Sequence, residues 1–310
     1  MQLITIKSDR LKRQQEIHGI SNLIIPFLGF VAAVILTFQI GVSAVDIWLL
    51  LIMYFLTAIG VTVGLHRHFA HCSFQAHQTV KIILAVLGSM AAEGPLNYWV
   101  ATHRRHHKYS DTPGDPHSPF IKEDKKLGFL EGLWHSHVGW TFNHELTNTF
   151  IFAKDMVRDP IMNKISQLYY LWLFLGVAIP GVIGGMISGT WMGALTGTLW
   201  GGFLRIFLQH HLGFWTVGSL AHLLGNRPFH TDDYSRNNLW VALFTCGEWH
   251  NNHHAFPNAA IHSFQWWQLD MGGLVIRLLE KLGLVWDLKM PTDEMIAAKK
   301  RKVSATEAIN

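Results

Sequence analysis

Charge is what this 310-residue chain has least of. Its 25 Lys and Arg and 21 Asp and Glu make up only 15% of the sequence, where a soluble globular domain carries about 25%. With 49% hydrophobic residues and a mean hydropathy of +0.20, that shortage excludes an ordinary water-facing surface and indicates a lipid-embedded chain. Cysteine is almost missing: Cys72 and Cys246 cannot build a disulfide framework and suit a reducing compartment. Internal repeats, low-complexity tracts and Ser/Pro-rich linkers are absent too, so a single domain spanning 1–310 is expected. The N-terminus is too polar for a signal peptide, and its first apolar run is expected to stay as a helix. Basic clusters (Lys7, Arg10, Lys12 and Arg13; Lys299, Lys300, Arg301 and Lys302) are not interleaved with aromatics. They read as cytoplasmic flanks beside anionic membrane lipids, with no nucleic-acid partner.

What the chain does have is long apolar runs, near Leu23–Ile40, Val45–Gly64, Leu168–Ile187 and Trp191–Leu208. Each approaches or reaches the ~20 residues that cross a bilayer. The connections within each pair are short and lack Lys and Arg, whereas the two long segments between and after the pairs hold most of the charge. The positive-inside rule then puts both termini and both long segments in the cytoplasm. The expected architecture is an all-α membrane protein with four transmembrane helices in two hairpins and a cytoplasmic helical cap. Its parts are a basic N-terminus (1–22), a first hairpin (23–64), cap segments at 65–167 and 209–290, a second hairpin (168–208) and a basic flexible tail (291–310). Val80–Ala92 is too short to span and reads as an interfacial or cap helix, and Trp266–Leu288 as an amphipathic helix along the interface. Pro180, Gly181, Gly184 and Gly185 read as small packing residues of the third span rather than a kink.

Histidine is in excess, with 20 in the chain, and the residues cluster. His66, His68 and His71 follow the second run, His103, His106 and His107 lie in H-R-R-H-H, and His250, His253 and His254 lie in H-N-N-H-H. His222 stands apart. On a helix, positions i, i+3 and i+4 share a face, so each five-residue box is expected to present three imidazoles to one point. His66 and His71, at i and i+5, do not share a face on an ideal α-helix, so one of them is expected where the span ends. Neutral imidazole suits iron, zinc, copper or nickel. Two boxes, His66, His71 and His222 together offer more nitrogen than one ion can bind and about enough for two. His18, His77, His144, His230 and His262 read as solvated or locally bonded, while His210 and His211 are ambiguous. No acid lies inside the boxes, unlike hydrolytic two-metal sites. Oxygen activation against an unactivated C–H bond needs a redox metal, shielding from water and an apolar slot.

These motifs resemble the membrane fatty acid desaturases, in the acyl Δ9, stearoyl-CoA-desaturase-like branch. H-R-H-F-A-H at 66–71, H-R-R-H-H-K-Y-S-D at 103–111, the Asp115–His117 D-P-H, H-V-G-W at 137–140, G-N-R-P-F after His222 and W-H-N-N-H-H-A-F-P at 249–257 carry the resemblance. It covers roughly residues 25–290. It implies a mushroom-shaped protein with two irons held by His66, His71, His103, His106, His107, His222, His250, His253 and His254. The implied reaction is O2-dependent insertion of a cis double bond, at Δ9, into a long-chain saturated acyl group. Aligned from the first box, the family's tunnel floor falls on Leu50 and Tyr54. Tyr54 lies about 18 Å along a helix from His66 at ~1.5 Å per residue. Trp99 is grouped with Leu50 and Tyr54 as a substrate-lining residue.

Three departures stand out. Where the family often has an Asn holding a metal through water, four residues before the isolated histidine, this chain has Gly218, with His211 as the first candidate substitute. The usual G-E-G-W-H is shortened to Gly247-Glu248-Trp249-His250. Ala101-Thr102 replaces the Arg-Asp of animal acyl-CoA enzymes, leaving the carrier open between acyl-CoA, acyl carrier protein and acyl-lipid. With no H-P-G-G haem signature and no ferredoxin-type cysteine cluster, electrons are expected from a separate donor: ferredoxin, cytochrome b5 or a flavin-linked reductase. Rival expectations are a di-iron lipid or alkane hydroxylase on the same scaffold and, more remotely, a membrane metal transporter. Transporters place their ligands near the midplane, whereas these boxes sit at or beyond the ends of the runs.

Overall fold

A serine starts each of the first two helices. In the computed structural model, which describes residues 4–300, Ser8 accepts from the Leu11 amide and opens α1 (Asp9–Ile40). Ser43 and Asp46 form a capping box that opens α2 (Ala44–Ala70). Both helices overrun the expected bounds. The cap at Ser8 puts Arg10, Lys12 and Arg13 on the first turns of α1 instead of in a loose leader. At its other end α2 does not stop near Gly64 but runs on through the first histidine box.

α3 (Gln78–Ser89) returns along α2, and two glycines set how closely. A Cβ on Gly60 would lie 2.2 Å from the Gly88 amide nitrogen, and one on Gly64 would lie 2.9 Å from Leu84 Cβ. The chain then turns into α4 (Leu96–Tyr109), which carries the second box, and later α5 (Phe129–His137). Val61, Leu65, Phe69, Ala85, Leu96 and Val100 form the buried core joining α2, α3 and α4.

α6 (Tyr169–Ser188) ends on Gly189, in the left-handed region at φ 66°, and α7 (residues 191–218) runs back against it. The small residues do serve packing: a Cβ on Gly184 would meet the Gly193 carbonyl at 2.3 Å, and one on Gly181 the Thr198 hydroxyl at 2.1 Å. Arg205, fully buried in α7, ties three segments by donating to the Met90 and Gly176 carbonyls and to Gln209. Three helices, α1, α2 and α6, are long and apolar enough to cross a membrane. The fourth run, Trp191–Leu208, is helical but forms only the first part of α7, whose winding alternates between α and π. The outer faces of these helices carry Phe38, Trp48, Met186 and Trp191, all more than 60% exposed. Such a belt fits lipid and not water.

After α7 come α8 (Leu220–Leu223), α9 (His250–Ala255) and α10 (Met271–Lys281). Of the amphipathic stretch expected over Trp266–Leu288, α10 is the helical part, with Trp266 fully outward ahead of it. The expected flexible tail is ordered as far as Lys300. Asp293–Lys299 is a short helix, and Lys299 donates to the Ala255 carbonyl at the end of α9. Arg301, Lys302 and the remainder of that tail lie outside the described residues.

Overpacking typically costs about 1–3 kcal/mol, and the Gly60 contact is with backbone, which cannot step aside. Gly60→Ala should therefore lower the midpoint of thermal unfolding in detergent. Gly128→Ala, where a Cβ meets nothing within 4 Å, should leave it unchanged.

Candidate metal centre

The spacing of His66 and His71 is resolved by winding. From Gly60 to Ala70 the helix is π-wound, and the His71 amide donates to the His66 carbonyl at 3.1 Å. An i→i+5 hydrogen bond stacks residue i+5 over residue i, so both rings of the first box face the same way. Beneath them Arg67, buried in α2, makes a paired contact with Asp270 at 2.9 and 3.0 Å and reaches the Ala260 and Gly247 carbonyls. This clamp fixes the first box against the segment bearing the third. Asn237 holds α9 itself, accepting from the Asn251 and Asn252 amides at its first turn.

The nine histidines converge in two groups. His66, His71, His103, His107 and His253 bring one ring nitrogen each within 4.8 Å of one another, and so do His106, His222, His250 and His254. The boxes therefore do not each serve one point, contrary to the expectation. α4 sends His103 and His107 to the first group and His106 to the second, while α9 sends His250 and His254 to the second and His253 to the first. At 3.6 residues per turn, positions i+3 and i+4 sit about 100° apart around the axis, on opposite sides of i. A helix lying between two centres thus feeds both.

The donor set fits metal ions. Nε2–Nε2 separations are 3.0 Å for His66–His253, 2.8 Å for His71–His103 and for His253–His107, and 2.8 Å for His222–His250. Two nitrogens each about 2.1 Å from an ion and at right angles would be about 3.0 Å apart. His254 Nε2 is buried without a hydrogen-bond partner, as a ligand atom aimed at an ion would be. Burial first, then the neighbouring imidazoles, hold His71, His103, His107, His250 and His253 well below the ordinary histidine range, in the neutral form that binds metals.

The acids missing from the boxes stand behind them. His106 Nδ1 faces Asp115 at 3.0 Å, His222 Nδ1 faces Asp111 at 2.8 Å and His254 Nδ1 faces Asp233 at 2.6 Å. Burial works against a carboxylate, yet the histidine partner and local hydrogen bonds hold Asp111, Asp115 and Asp233 below the usual range. Burial would lower the His222 pKa, but Asp111 outweighs it and raises it. Glu248 joins the groups, reaching His66 Nδ1 at 3.2 Å, His250 Nδ1 at 3.5 Å and His262 Nδ1 at 3.2 Å. A carboxylate at Nδ1 fixes the ring's tautomer and would leave Nε2 free for an ion. Asp111 and Asp115 lay within quoted motifs and Glu248 within the shortened third box, but nothing in the sequence pointed to Asp233 or to buried His262. His68 turns away, to the Phe74 carbonyl. His144, expected to be solvated or locally bonded, is bonded to Gln15 and the Trp140 carbonyl.

An apolar cavity of about 90 Å³ abuts both groups, bounded by Val61, Thr62, Trp99, Phe214 and Trp215 and by ligand-set members His66, His103, His106 and His250. Trp99 lies in this wall, stacked on His103 with ring centroids 4.9 Å apart. Leu50 and Tyr54 lie outside it. Leu50 packs with Leu199 and Phe203, and the Tyr54 hydroxyl donates to the Phe244 carbonyl at 2.7 Å. His211 also stands apart, against His137 and Trp215. The residue beside Gly218 is His117: a Cβ on Gly218 would lie 3.1 Å from its Nδ1.

Apolar helices carrying a buried double cluster of histidines, able to hold metal ions, define a membrane-associated protein with a candidate metal centre. Comparison with known proteins gives the family: the fatty acid desaturase family model matches residues 42–277, and the chain belongs to that family. It is 48% identical over 299 residues to a hex-5-enoyl-[acyl-carrier protein] acetylenase of Moorena producens, covering 96% of this chain and 93% of that one. It is 35% identical over 245 residues to an sn-1 stearoyl-lipid 9-desaturase of Anabaena variabilis (77% and 82% covered). It is also 35% identical over 263 residues to an acyl-CoA C20 Delta5-desaturase of Anemone leveillei (83% and 77%). It is an oxidoreductase of lipid metabolism.

Removing a carboxylate behind a metal-binding histidine typically weakens metal affinity about 10–100-fold. With an ion in each histidine group, Asp233→Ala should do so at one of them, whereas Glu248→Ala should weaken both. Competition with a chromogenic chelator measures the two affinities.

Proposed function

We propose that this protein is an O2-dependent fatty acyl desaturase whose two irons are held by the five- and four-histidine groups. The observation that carries the reading is the division of nine buried imidazoles into two adjacent groups against an apolar cavity. Bound there, iron supplies the oxidising power that removes two hydrogens from adjacent methylenes. The balance is one O2, two external electrons and two protons in, and one cis double bond and two waters out. The chain's own part is positional. Trp99, Phe214 and Trp215 line an apolar slot that excludes water from the acyl chain, and Asp111, Asp115, Asp233 and Glu248 fix the ring tautomers. The four-span topology with a cytoplasmic cap in a bacterial inner membrane belongs to the same reading, as does a separate ferredoxin, cytochrome b5 or flavin-linked donor.

Long-chain Δ9 chemistry on an acyl-lipid follows the 9-desaturase relatives, and an acyl-CoA carrier follows the Delta5-desaturase relative. A second reading, a short chain on an acyl carrier protein, follows another relative. The relative that acts on hex-5-enoyl-[acyl-carrier protein] matches nearly the whole chain.

Expression in a host that makes no unsaturated fatty acids, fed short, medium and long saturated chains, should yield an alkene, located by mass spectrometry. An alcohol would indicate the hydroxylase instead. His106→Ala and His253→Ala should lose turnover by at least about a thousandfold (about 4 kcal/mol of barrier), while His77→Ala stays active.

A further inference from the structure

The two histidine groups are unequal: five members and four. The smaller lies beside Gly218, and three observations meet there. Gly218 offers no side chain, and the space a side chain would enter is filled by the His117 imidazole, 3.1 Å from the ideal Cβ. His117 Nδ1 is buried with no hydrogen-bond partner. The His117 ring stacks on that of His106, a member of the four-histidine group, with centroids 4.3 Å apart and planes 28° apart.

The rest of the cavity wall is otherwise nearly satisfied. Thr62 donates to the Thr245 carbonyl, Thr245 to Val241, Ser136 to Gly132, and the Tyr98 hydroxyl meets His144. Besides His117, only Glu93 Oε1 in that wall lacks a partner among the described residues, and it lies 3.4 Å from His210 Nε2. Asp115 does not satisfy His117 Nδ1 either. Its oxygens are taken by His106 Nδ1 and by the Asp111 and His117 amides, and Oδ1 stands 3.9 Å from the His117 ring nitrogen.

We infer that the His117 imidazole completes the coordination of the four-histidine ion through a bridging water, in the place left open by Gly218. This rests on the two-iron reading above. No His117 ring nitrogen joins the four that lie within 4.8 Å of one another in this group, so His117 is not placed as a direct ligand. A water about 2.1 Å from the ion and about 2.8 Å from a ring nitrogen would bridge the two. The water gains a fixed acceptor, and the buried nitrogen gains its missing partner.

The test loads the full-length protein anaerobically with ferrous iron in detergent and follows iron release to a chelator, with Mössbauer spectra of the retained metal. His117→Phe keeps the ring against His106 but removes both nitrogens. It and His117→Ala should release one of the two irons about tenfold faster than wild type, with the other unchanged. Only one of the two quadrupole doublets should shift. His117→Gln, which keeps a polar atom, should release iron at close to the wild-type rate. Adding Gly218→Asn to His117→Ala should restore retention, since the vacated space admits the new side chain. Wild-type release and spectra in both His117→Phe and His117→Ala would overturn the inference. His222→Ala separates that failure from failure of the two-iron reading. If it too leaves iron content unchanged, the four-histidine group is not a metal site at all.

Discussion

Imidazoles can share so small a volume only if most of them stay uncharged: two like charges 3 Å apart repel by about 5 kcal/mol even at an effective dielectric of ~20, comparable to the whole stability of an ordinary fold. Burial holds His71, His103, His107, His250, His253 and His254 below the ordinary histidine range, and the carboxylates behind His106, His222 and His254 supply direction. Much of the cap's polar structure answers to this requirement. Arg67 and Asp270 hold the first box against the third, Asn237 holds the first turn of α9, and Glu248 ties one centre to the other.

The same requirement explains the irregular helices. A regular α-helix would have turned His71 away from His66, and the π winding of Gly60–Ala70 turns it back. The glycines that bring α3 against this stretch are needed because the wider winding is packed tightly, Gly60 against Gly88 and Gly64 against Leu84. In α7 the π segments at Thr198–Leu204 and Gln209–Phe214 flank Arg205, whose guanidinium is satisfied wholly by backbone carbonyls and Gln209. A buried cation with such partners locks α7 to α6 and to the end of α3, and so fixes the wall of the cavity formed by Phe214 and Trp215.

The apolar helices, the packing role of Gly181 and Gly184 and the convergence of nine clustered histidines were all legible in the chain. Each depends on local pattern: runs of apolar residues, small residues at close approaches, and imidazoles at fixed spacing. Helix ends were less legible, because α2 and α7 continue past the apolar runs on the strength of contacts made by residues far away in sequence. The cavity beside the histidines was not legible for a related reason. Counting along α2 reached Leu50 and Tyr54, but Tyr54 is anchored to Phe244, nearly two hundred residues on, and the cavity wall on α2 begins at Val61.

By itself the sequence determined which atoms could bind metal, since imidazoles at i, i+3 and i+4 are forced onto one side of any helix. Tertiary structure alone decided how they were shared. Whether His106 joins His103 or His222 depends on where α4 lies relative to α9, a relation set through α2, which Arg104 of α4 ties by the Phe69 and Ala70 carbonyls and which Arg67 ties to Asp270 some two hundred residues on. It also decided what stands beside Gly218. His117 and Gly218 are a hundred residues apart, and neither one's spacing from its own motif encodes the 3.1 Å between them.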